Sequence, residues 1–359
     1  MNQRLKVILE HMESDRLEGL IISKGSDIKY LTGFTGEYGT SVLLVTGKAC
    51  YFVTDNRFTC QAVQETEGLE VLAYGSGSSY FKQIGTLIKE NGIKVCGIYG
   101  KDLSYADCMD VKNLNPTAEF IEANPYIEEM RAVKTPEEIE TIQNACNISV
   151  RSFYALLDVI KPGVTEIDIA NELEYQFRSR GGSGFCFATI VASGPDNGAN
   201  CHATASMRRI QQGDFVTIDF GTYYNDYCSD ITRTVAIGKA GNPELYKMFE
   251  VVKQAKDAGE KRLKPGLAMS ELSKIITGFI EANGYKIPHG PGHSFGLDIH
   301  EVPYISAENS YQLQAGVIHT IEPGIYIPGV GGVRQEDDYL ITDTGYRRLT
   351  HITDDLIVL

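Results

Sequence analysis

Short apolar runs alternate with stretches of helical periodicity along the first third of the chain. The apolar runs predict five strands, at 19–23, 41–46, 49–54, 69–74 and 95–100. The spacing of the first apolar residues predicts an amphipathic helix at the start of the chain, and further helices are predicted around 57–67 and 80–91. This alternation is typical of a small α/β domain. The sequence of this part contains no cluster of titratable groups that indicates chemistry.

A strong helix-start signal separates this part from the rest of the chain. Thr135, Pro136 and Glu138 have the residue types of an N-cap, a first helical position and the acidic partner of a capping box. We therefore predict two domains, at 1–125 and 126–359. In the second domain another helix follows Thr165, β patterning dominates from about 187 onward, and helices interrupt it near 244–262 and 269–283. The predicted fold class is α/β (α+β).

Composition narrows the classes of function. A net charge of −14 over 359 residues argues against a nucleic-acid partner, because phosphate contacts need clustered Lys and Arg. The eight cysteines form no CxxC pair and are interpreted as reduced thiols. The chain begins without the pattern of a signal peptide and has no apolar run long enough to cross a bilayer, so we expect no membrane association and a cytoplasmic protein.

Two aspartates occupy neighbouring predicted strands. Asp219 lies in TIDFG and Asp230 in CSDITRT, separated by a turn-prone Tyr-Tyr-Asn-Asp segment. A tight hairpin centred on Tyr224 and Asn225 would place the two carboxylates directly opposite each other on one face, where bare like charges repel. A cation between them reverses the sign of that interaction, so the pair predicts a metal site rather than two solvated side chains.

Three histidines follow within twelve residues, in IPHGPGHSFGLDIHE. His289 and His293 have the spacing of a helical zinc-binding pair, but HEXXH is missing and Pro291 with its flanking glycines breaks a helix there. We therefore expect His289, His293 and His300 on extended chain or loop, close to a site.

Two glutamates complete an oxygen-rich ligand set. Glu322 ends the predicted strand VIHTIE, and Glu336 shares a strand face with Arg334, which is expected to orient it. The four carboxylates carry a charge of −4, which two divalent ions balance. The donor set favours Mn²⁺, with Co²⁺ or Zn²⁺ as alternatives, over a thiolate-bound metal.

The ordered motifs resemble those of the pita-bread metallopeptidases, and more narrowly the Xaa-Pro peptidases, which comprise aminopeptidase P and prolidase. The matching segments are ATIVASGPDNGANCHAT, TIDFG, SDITRT, HGPGHSFGLDIHE, IEPGIY and GVRQED. YLTGFTG and TDNRF resemble the N-terminal creatinase-like domain of the same group. The resemblance implies a small creatinase-like α/β domain followed by a pita-bread domain, with a curved antiparallel sheet flanked by helices, in a homodimer.

The resemblance also implies roles for individual residues. Asp219 would bind one metal ion, His293 and Glu322 would bind the other, and Asp230 and Glu336 would bridge the two. Water activated by the ions would cleave the bond before proline. The catalytic residues would be His202, His300 and Glu322, with Glu322 carrying a proton to the proline nitrogen. Substrate contacts would come from His202, His289, His300 and Arg334.

One position departs from the prolidase pattern. Many prolidases carry an arginine four residues beyond the histidine that matches His300, where it binds a dipeptide's carboxylate. This chain has Tyr304 there. The sequence therefore favours an Xaa-Pro aminopeptidase acting on longer proline-containing peptides, with an Xaa-Pro dipeptidase as the alternative. A methionine aminopeptidase, a creatinase-type enzyme and a non-enzymatic pita-bread binding protein fit less well, because the motifs, the first domain and all five ligands are present.

Overall fold

A computed structural model of the chain describes residues 2–75 and 77–359. These residues form two compact units, which divide between Met130 and Arg131. In the described part of the chain, no helix combines the length and the apolar character that a membrane span requires.

The first unit is built on one six-stranded mixed sheet with the strand order β4-β3-β2-β1-β5-β6. Its strands are β1 Gly19–Ile22, β2 Ser41–Thr46, β3 Cys50–Thr54, β4 Glu70–Ala73, β5 Val95–Ile98 and β6 Glu119–Glu122. Its helices are α1 Gln3–Ser14, α2 Gly25–Thr32, α3 Thr59–Glu65, α4 Tyr80–Glu90 and α5 Tyr105–Leu114, and α6 Tyr126–Ala132 spans the junction of the units. The five predicted strands and three predicted helices are confirmed.

Burial of one helix face explains why the pattern predicts α4. Phe81, Ile84 and Ile88 of α4 pack with Ile21 and Leu44 of the sheet, so their apolar spacing follows one helix face. By contrast, α5 buries only Val111, and the described strand β6 has no fully buried residue. The sequence predicted neither element, and it also missed α2, which buries six of its eight residues. Burial alone does not decide the outcome, since β4 is no more buried than β6 and was predicted.

The second unit begins with paired helices whose capping signals are confirmed. Its helices are α7 Pro136–Leu156, α8 Glu166–Ser179, α9 Pro243–Glu260 and α10 Met269–Ala282. Thr135 and Glu138 form the predicted capping box of α7, and Thr165 and Asp168 form a second one at α8. Each box satisfies two backbone N–H groups that a helix start leaves unpaired.

The strands of the second unit pair in two larger sheets and two hairpins. They are β7 Ile190–Ser193, β8 Phe215–Phe220, β9 Tyr223–Tyr224, β10 Tyr227–Cys228, β11 Ile231–Ala236, β12 His293–Ser294, β13 Glu301–Tyr304, β14 Ile318–Ile321, β15 Gly324–Ile327, β16 Gly331–Arg334, β17 Asp337–Ile341, β18 Tyr346–Arg348 and β19 Ile357–Val358. One sheet has the order β19-β11-β8-β7 and the other β13-β12-β14-β17-β18. All the described pairings in this unit are antiparallel except β11 with β19.

The antiparallel sheets of the second unit pack against its helices. Met248, Phe249 and Val252 of α9, together with Ile276 of α10, share one buried cluster with residues of β14 to β17. Phe153 of α7 and Phe177 of α8 pack instead against Phe220 of β8. The helices therefore support the strands that bear or adjoin the candidate ligands.

Candidate active site

A cavity of about 320 Å³ in the second unit is lined by every residue that the sequence analysis named as a candidate site residue. Its wall includes Asp219, Asp230, His293, Glu322, Glu336, His202, His289, His300 and Arg334. Residues from five separate strands and their connections therefore meet at one place, as the ligand prediction requires.

The five candidate ligands lie on strands or at strand ends, where the backbone is fixed by pairing. Asp219 is in β8, Asp230 directly precedes β11, His293 begins β12, Glu322 directly follows β14, and Glu336 lies between β16 and β17. Their positions are thus set by the ladders of two different sheets and one hairpin.

The inner part of the set is close enough to share metal ions. Ligand atoms of Asp230, His293 and Glu336 all lie within 4.8 Å of one another, and all three residues are buried. His293 Nε2 is 3.5 Å from Asp230 Oδ2 and 3.4 Å from Glu322 Oε1. This spacing is suited to oxygen and nitrogen donors that converge on a divalent cation.

The hydrogen bond of His293 fixes which ring nitrogen faces the carboxylates. Its Nδ1 lies 3.1 Å from the Ser294 carbonyl oxygen, which can only accept a hydrogen bond. The neutral ring therefore carries its proton on Nδ1 and leaves the lone pair of Nε2 toward the site. Burial and the neighbouring His300 lower the pKa of His293 to about 3, so the ring is neutral and its Nε2 lone pair is free to bind a cation.

The carboxylates repel one another strongly without a cation. Burial, and then the charge of Glu336, raises the pKa of Asp230 well above its ordinary value. Burial, and then the charge of Glu322, does the same to the pKa of Glu336. Asp219 Oδ1 is buried without a hydrogen-bond partner. A dense, oxygen-rich set with an unpaired buried carboxylate oxygen fits divalent metal ions, which would satisfy that oxygen and neutralise the charge.

The predicted register of the β8–β11 hairpin is wrong by two residues. Asp219 pairs with Thr232, not with Asp230. The turn is centred on Asn225 and Asp226, which have φ angles of +46° and +66°, because a tight hairpin favours left-handed residues that Asn and Asp tolerate. A shift of two residues leaves every side chain on its face. Asp219 and Asp230 therefore still share a face, as diagonal rather than direct neighbours.

The guanidinium group of Arg334 lies beside the carboxylate of Asp219, and its N–H groups donate hydrogen bonds to protein atoms. It donates to Asp219 Oδ2 and to the Tyr326 hydroxyl, and also to the Cys201 carbonyl at 3.0 Å and Thr232 Oγ1 at 3.1 Å. It is 3% exposed. The sequence predicted substrate contact and a partner for Glu336, whereas these bonds indicate that Arg334 orients Asp219.

Replacing Arg334 by lysine is expected to weaken metal binding. A lysine ammonium cannot reproduce the guanidinium fork that reaches Asp219, Tyr326 and Thr232 together. Loss of such an outer partner typically costs about 10- to 100-fold in metal affinity. Calorimetric titration with Mn²⁺ measures the change, and Arg347→Lys, at an exposed arginine, is the matched control. Equal Mn²⁺ affinity in both variants would refute the orienting role.

Thr232 is a contributor that the sequence reasoning missed. Its Oγ1 donates to Glu336 Oε2 at 2.7 Å and accepts from Arg334. It lies two residues beyond Asp230 and therefore on the same strand face. In SDITRT, Thr232 is the next polar residue after Asp230 on the same strand face, and this alternation could have identified it.

The remaining histidines line the outer part of the cavity. The His300 ring contacts the His293 ring at a centroid distance of 4.4 Å. His289 lies with Nδ1 2.8 Å from the Gly290 carbonyl and Nε2 3.2 Å from the Tyr326 hydroxyl, and burial lowers its pKa to about 4. His202 is exposed and also lines the cavity. The imidazoles of His202, His289 and His300 line the cavity and are partly or fully exposed, so they are available to contact a ligand.

Two family profiles match consecutive parts of the chain. Residues 140–343 match metallopeptidase family M24, and residues 4–133 match the Creatinase/Prolidase N-terminal domain. The two matches confirm the predicted order of a creatinase-like domain followed by a pita-bread metallopeptidase domain.

Known proteins resemble the whole chain. A Pyrococcus horikoshii protein named Xaa-Pro dipeptidase is 33% identical over 359 residues, covering 99% of each chain. The solved structure of an Xaa-Pro dipeptidase from Bacillus anthracis has a TM-score of 0.93 at 35% identity, covering 99% of each chain. The structure of an X-Pro aminopeptidase from Thermotoga maritima has a TM-score of 0.90 at 32% identity, again covering 99% of each chain.

Proposed function

Because the chain belongs to metallopeptidase family M24, we propose that it is an exopeptidase that hydrolyses the peptide bond before proline. Its substrates are Xaa-Pro peptides from which it releases the N-terminal residue. The observation that carries this proposal is the convergence of all five candidate ligands and three histidines on one cavity. The names of its relatives, which include an Xaa-Pro dipeptidase and an X-Pro aminopeptidase, support the substrate class.

The five ligands would hold two divalent ions, and we propose Mn²⁺, with Co²⁺ or Zn²⁺ as alternatives. Asp219 would help to hold one ion and His293 with Glu322 the other, and Asp230 and Glu336 would contribute to both. When bound, such ions supply a Lewis acid and lower the pKa of water. The hydrogen bonds from Arg334 to Asp219 and from Thr232 to Glu336 hold two of these carboxylates in one orientation before any ion binds.

Glu322 is the residue best placed to move the proton of the reaction. Burial, as the largest cause, raises its carboxyl pKa to about 8 in the metal-free protein. A buried carboxylate accepts a proton readily and can pass it to the departing proline nitrogen. His202 and His300 line the outer part of the same cavity, where an imidazole N–H can donate to the oxygen that gains charge in the transition state.

The variant His300→Ala is expected to keep its metal ions and lose turnover. His300 contacts the His293 ring but is not one of the five proposed ligands. Loss of one donor to a developing oxyanion typically lowers kcat by about 10²- to 10³-fold. Metal analysis together with kcat on an Xaa-Pro peptide measures both effects, with His351→Ala at an exposed histidine as the control. Loss of the metal ions from His300→Ala would contradict this assignment.

The choice between longer peptides and dipeptides depends on what binds a carboxylate after proline. Among the described residues that line the cavity, Arg334 is the single Lys or Arg, and it makes four hydrogen bonds to protein atoms. Tyr304, 44% exposed, occupies the wall at the position of the prolidase arginine. These features support an aminopeptidase that acts on peptides extending beyond proline.

Xaa-Pro dipeptidase activity is the second candidate, because relatives at 33–35% identity carry that name. Hydrolysis of Ala-Pro and of Ala-Pro-Ala by the Mn²⁺-loaded protein distinguishes the two. If the protein is an aminopeptidase, we expect it to cleave Ala-Pro-Ala faster than Ala-Pro. Cleavage of Ala-Pro alone would make the protein a dipeptidase that binds the carboxylate elsewhere.

A further inference from the structure

One segment of the cavity wall has little regular structure of its own. Residues 194–205, here called the His202 loop, follow β7 and contain one short 3₁₀ turn, Asn197–Ala199. The loop carries His202 into the cavity. Because a loop without a ladder does not fix a side chain by itself, the position of His202 depends on what holds the loop from outside.

A single buried carboxylate holds the loop at both of its ends. Glu166, at the start of α8, has no exposed surface. Its Oε1 accepts from the Ser193 backbone N–H at 2.9 Å and the Ser193 hydroxyl at 2.6 Å. Its Oε2 accepts from Asn197 Nδ2 at 2.7 Å, and from the Ser206 backbone N–H at 3.0 Å and hydroxyl at 2.6 Å. Five donors from before, within and after the loop therefore converge on one side chain.

The loop is also seated on the strand next to the metal ligands. A Cβ on Gly332 of β16 would lie 2.1 Å from the Gly198 carbonyl oxygen, so the two backbones approach closely at this point. The Cys201 carbonyl accepts from Arg334 Nη1 at 3.0 Å. Glu166 thus fixes the ends of a loop whose middle rests against β16, with His202 between them.

We propose that Glu166 is a positioning residue for His202. The inference rests on the proposed function, in which His202 contacts the substrate. A buried carboxylate with five donors is tightly satisfied, and charge-assisted bonds of this kind are the strongest in proteins. An amide at this place keeps one acceptor oxygen and turns an NH₂ group toward N–H and O–H donors, so it frees part of the loop. A displacement of about 1 Å of a catalytic group can cost about 10²-fold in rate.

A double-mutant cycle tests the proposal with Glu166→Gln, His202→Ala and the double variant. We expect Glu166→Gln to lower kcat by roughly 10- to 100-fold while Mn²⁺ content stays that of the wild type. In the His202→Ala background, the same substitution should change kcat by no more than about twofold, because its effect passes through His202. A merely structural role would give the same loss in both backgrounds.

The controls separate the possible failures. Asp168→Asn makes the same carboxylate-to-amide change in the first turn of α8, where the Asp168 side chain caps the helix without contacting the loop, and it should leave kcat unchanged. If Glu166→Gln does not fold, Ser206→Ala removes one loop contact and enters the same cycle. Independent, additive losses from Glu166→Gln and His202→Ala would overturn this inference alone. An unchanged kcat in His202→Ala would overturn it together with the proposed role of His202.

Discussion

Asp230→Asn is expected to lose the metal ions and with them nearly all turnover. A ligand atom of Asp230 lies within 4.8 Å of ligand atoms of His293 and Glu336, and we propose that Asp230 contributes to both ions, so its loss affects both. A bound cation supplies several kcal/mol of transition-state stabilisation, which corresponds to a loss of at least about 10³-fold in kcat. Metal content after dialysis against Mn²⁺ and kcat on an Xaa-Pro peptide measure the two effects.

In the metal-free protein, the same substitution is expected to keep or raise the thermal stability rather than to impair the protein. Burial raises the pKa of Asp230 because the folded protein holds its charge at a cost, with Glu336 and Asp219 adding repulsion. An uncharged amide of similar shape removes that cost. Metal-free Asp230→Asn should therefore have a Tm equal to or above that of the metal-free wild type. Asp343→Asn, at an exposed aspartate, serves as control, and full metal content in Asp230→Asn would contradict the ligand assignment.

Stabilisation by Mn²⁺ is expected to grow as the pH rises. In the metal-free protein, burial raises the pKa of Glu322 to about 8, and the pKa values of Asp230 and Glu336 are raised well above normal. The unfolded chain releases these protons near pH 4. Between about pH 4 and the higher pKa values, the folded metal-free protein holds protons that the unfolded chain has lost, so its stability falls as the pH rises, by up to about 1.4 kcal/mol per pH unit for each such group.

Metal binding requires the deprotonated ligands, so its contribution changes in the opposite direction. At a Mn²⁺ concentration of about 100 times the Kd, each ion adds about 2.7 kcal/mol to the free energy of unfolding. Scanning calorimetry with Mn²⁺ or with chelator at about pH 5 and about pH 8 measures the difference in Tm, in which groups outside the site cancel. We expect the difference in Tm between the Mn²⁺ and chelator samples to be larger at the higher pH. A difference that stays constant or becomes smaller would argue against a carboxylate metal site.

The main elements and the residues of the cavity follow from local sequence patterns. The capping boxes at Thr135 and Thr165 and the apolar runs of β1 to β5 are local signals, and they are found in the structure. The candidate ligands were found because carboxylates and histidines stand out at the ends of apolar strands. Their meeting in one cavity depends on how two sheets and one hairpin come together, which no local pattern predicts.

The unpredicted features depend on contacts between distant parts of the chain. The hairpin register depends on which two residues adopt positive φ, and two neighbouring polar pairs, Tyr224-Asn225 and Asn225-Asp226, were both available. The partner of Arg334 is Asp219, more than a hundred residues away, rather than its neighbour Glu336. Glu166 has the residue type expected in the first turn of a helix, and only the fold brings Ser193 and Ser206 to its side chain.

The most direct test of the central claim compares release of alanine from Ala-Pro-Ala and from Ala-Ala-Ala while the metal content of the protein is titrated. We predict cleavage of Ala-Pro-Ala alone, with activity that appears as Mn²⁺ binds, disappears with chelator and reaches its maximum at two ions per chain. Cleavage of both peptides, or of Ala-Pro-Ala by the fully metal-free protein, would contradict it.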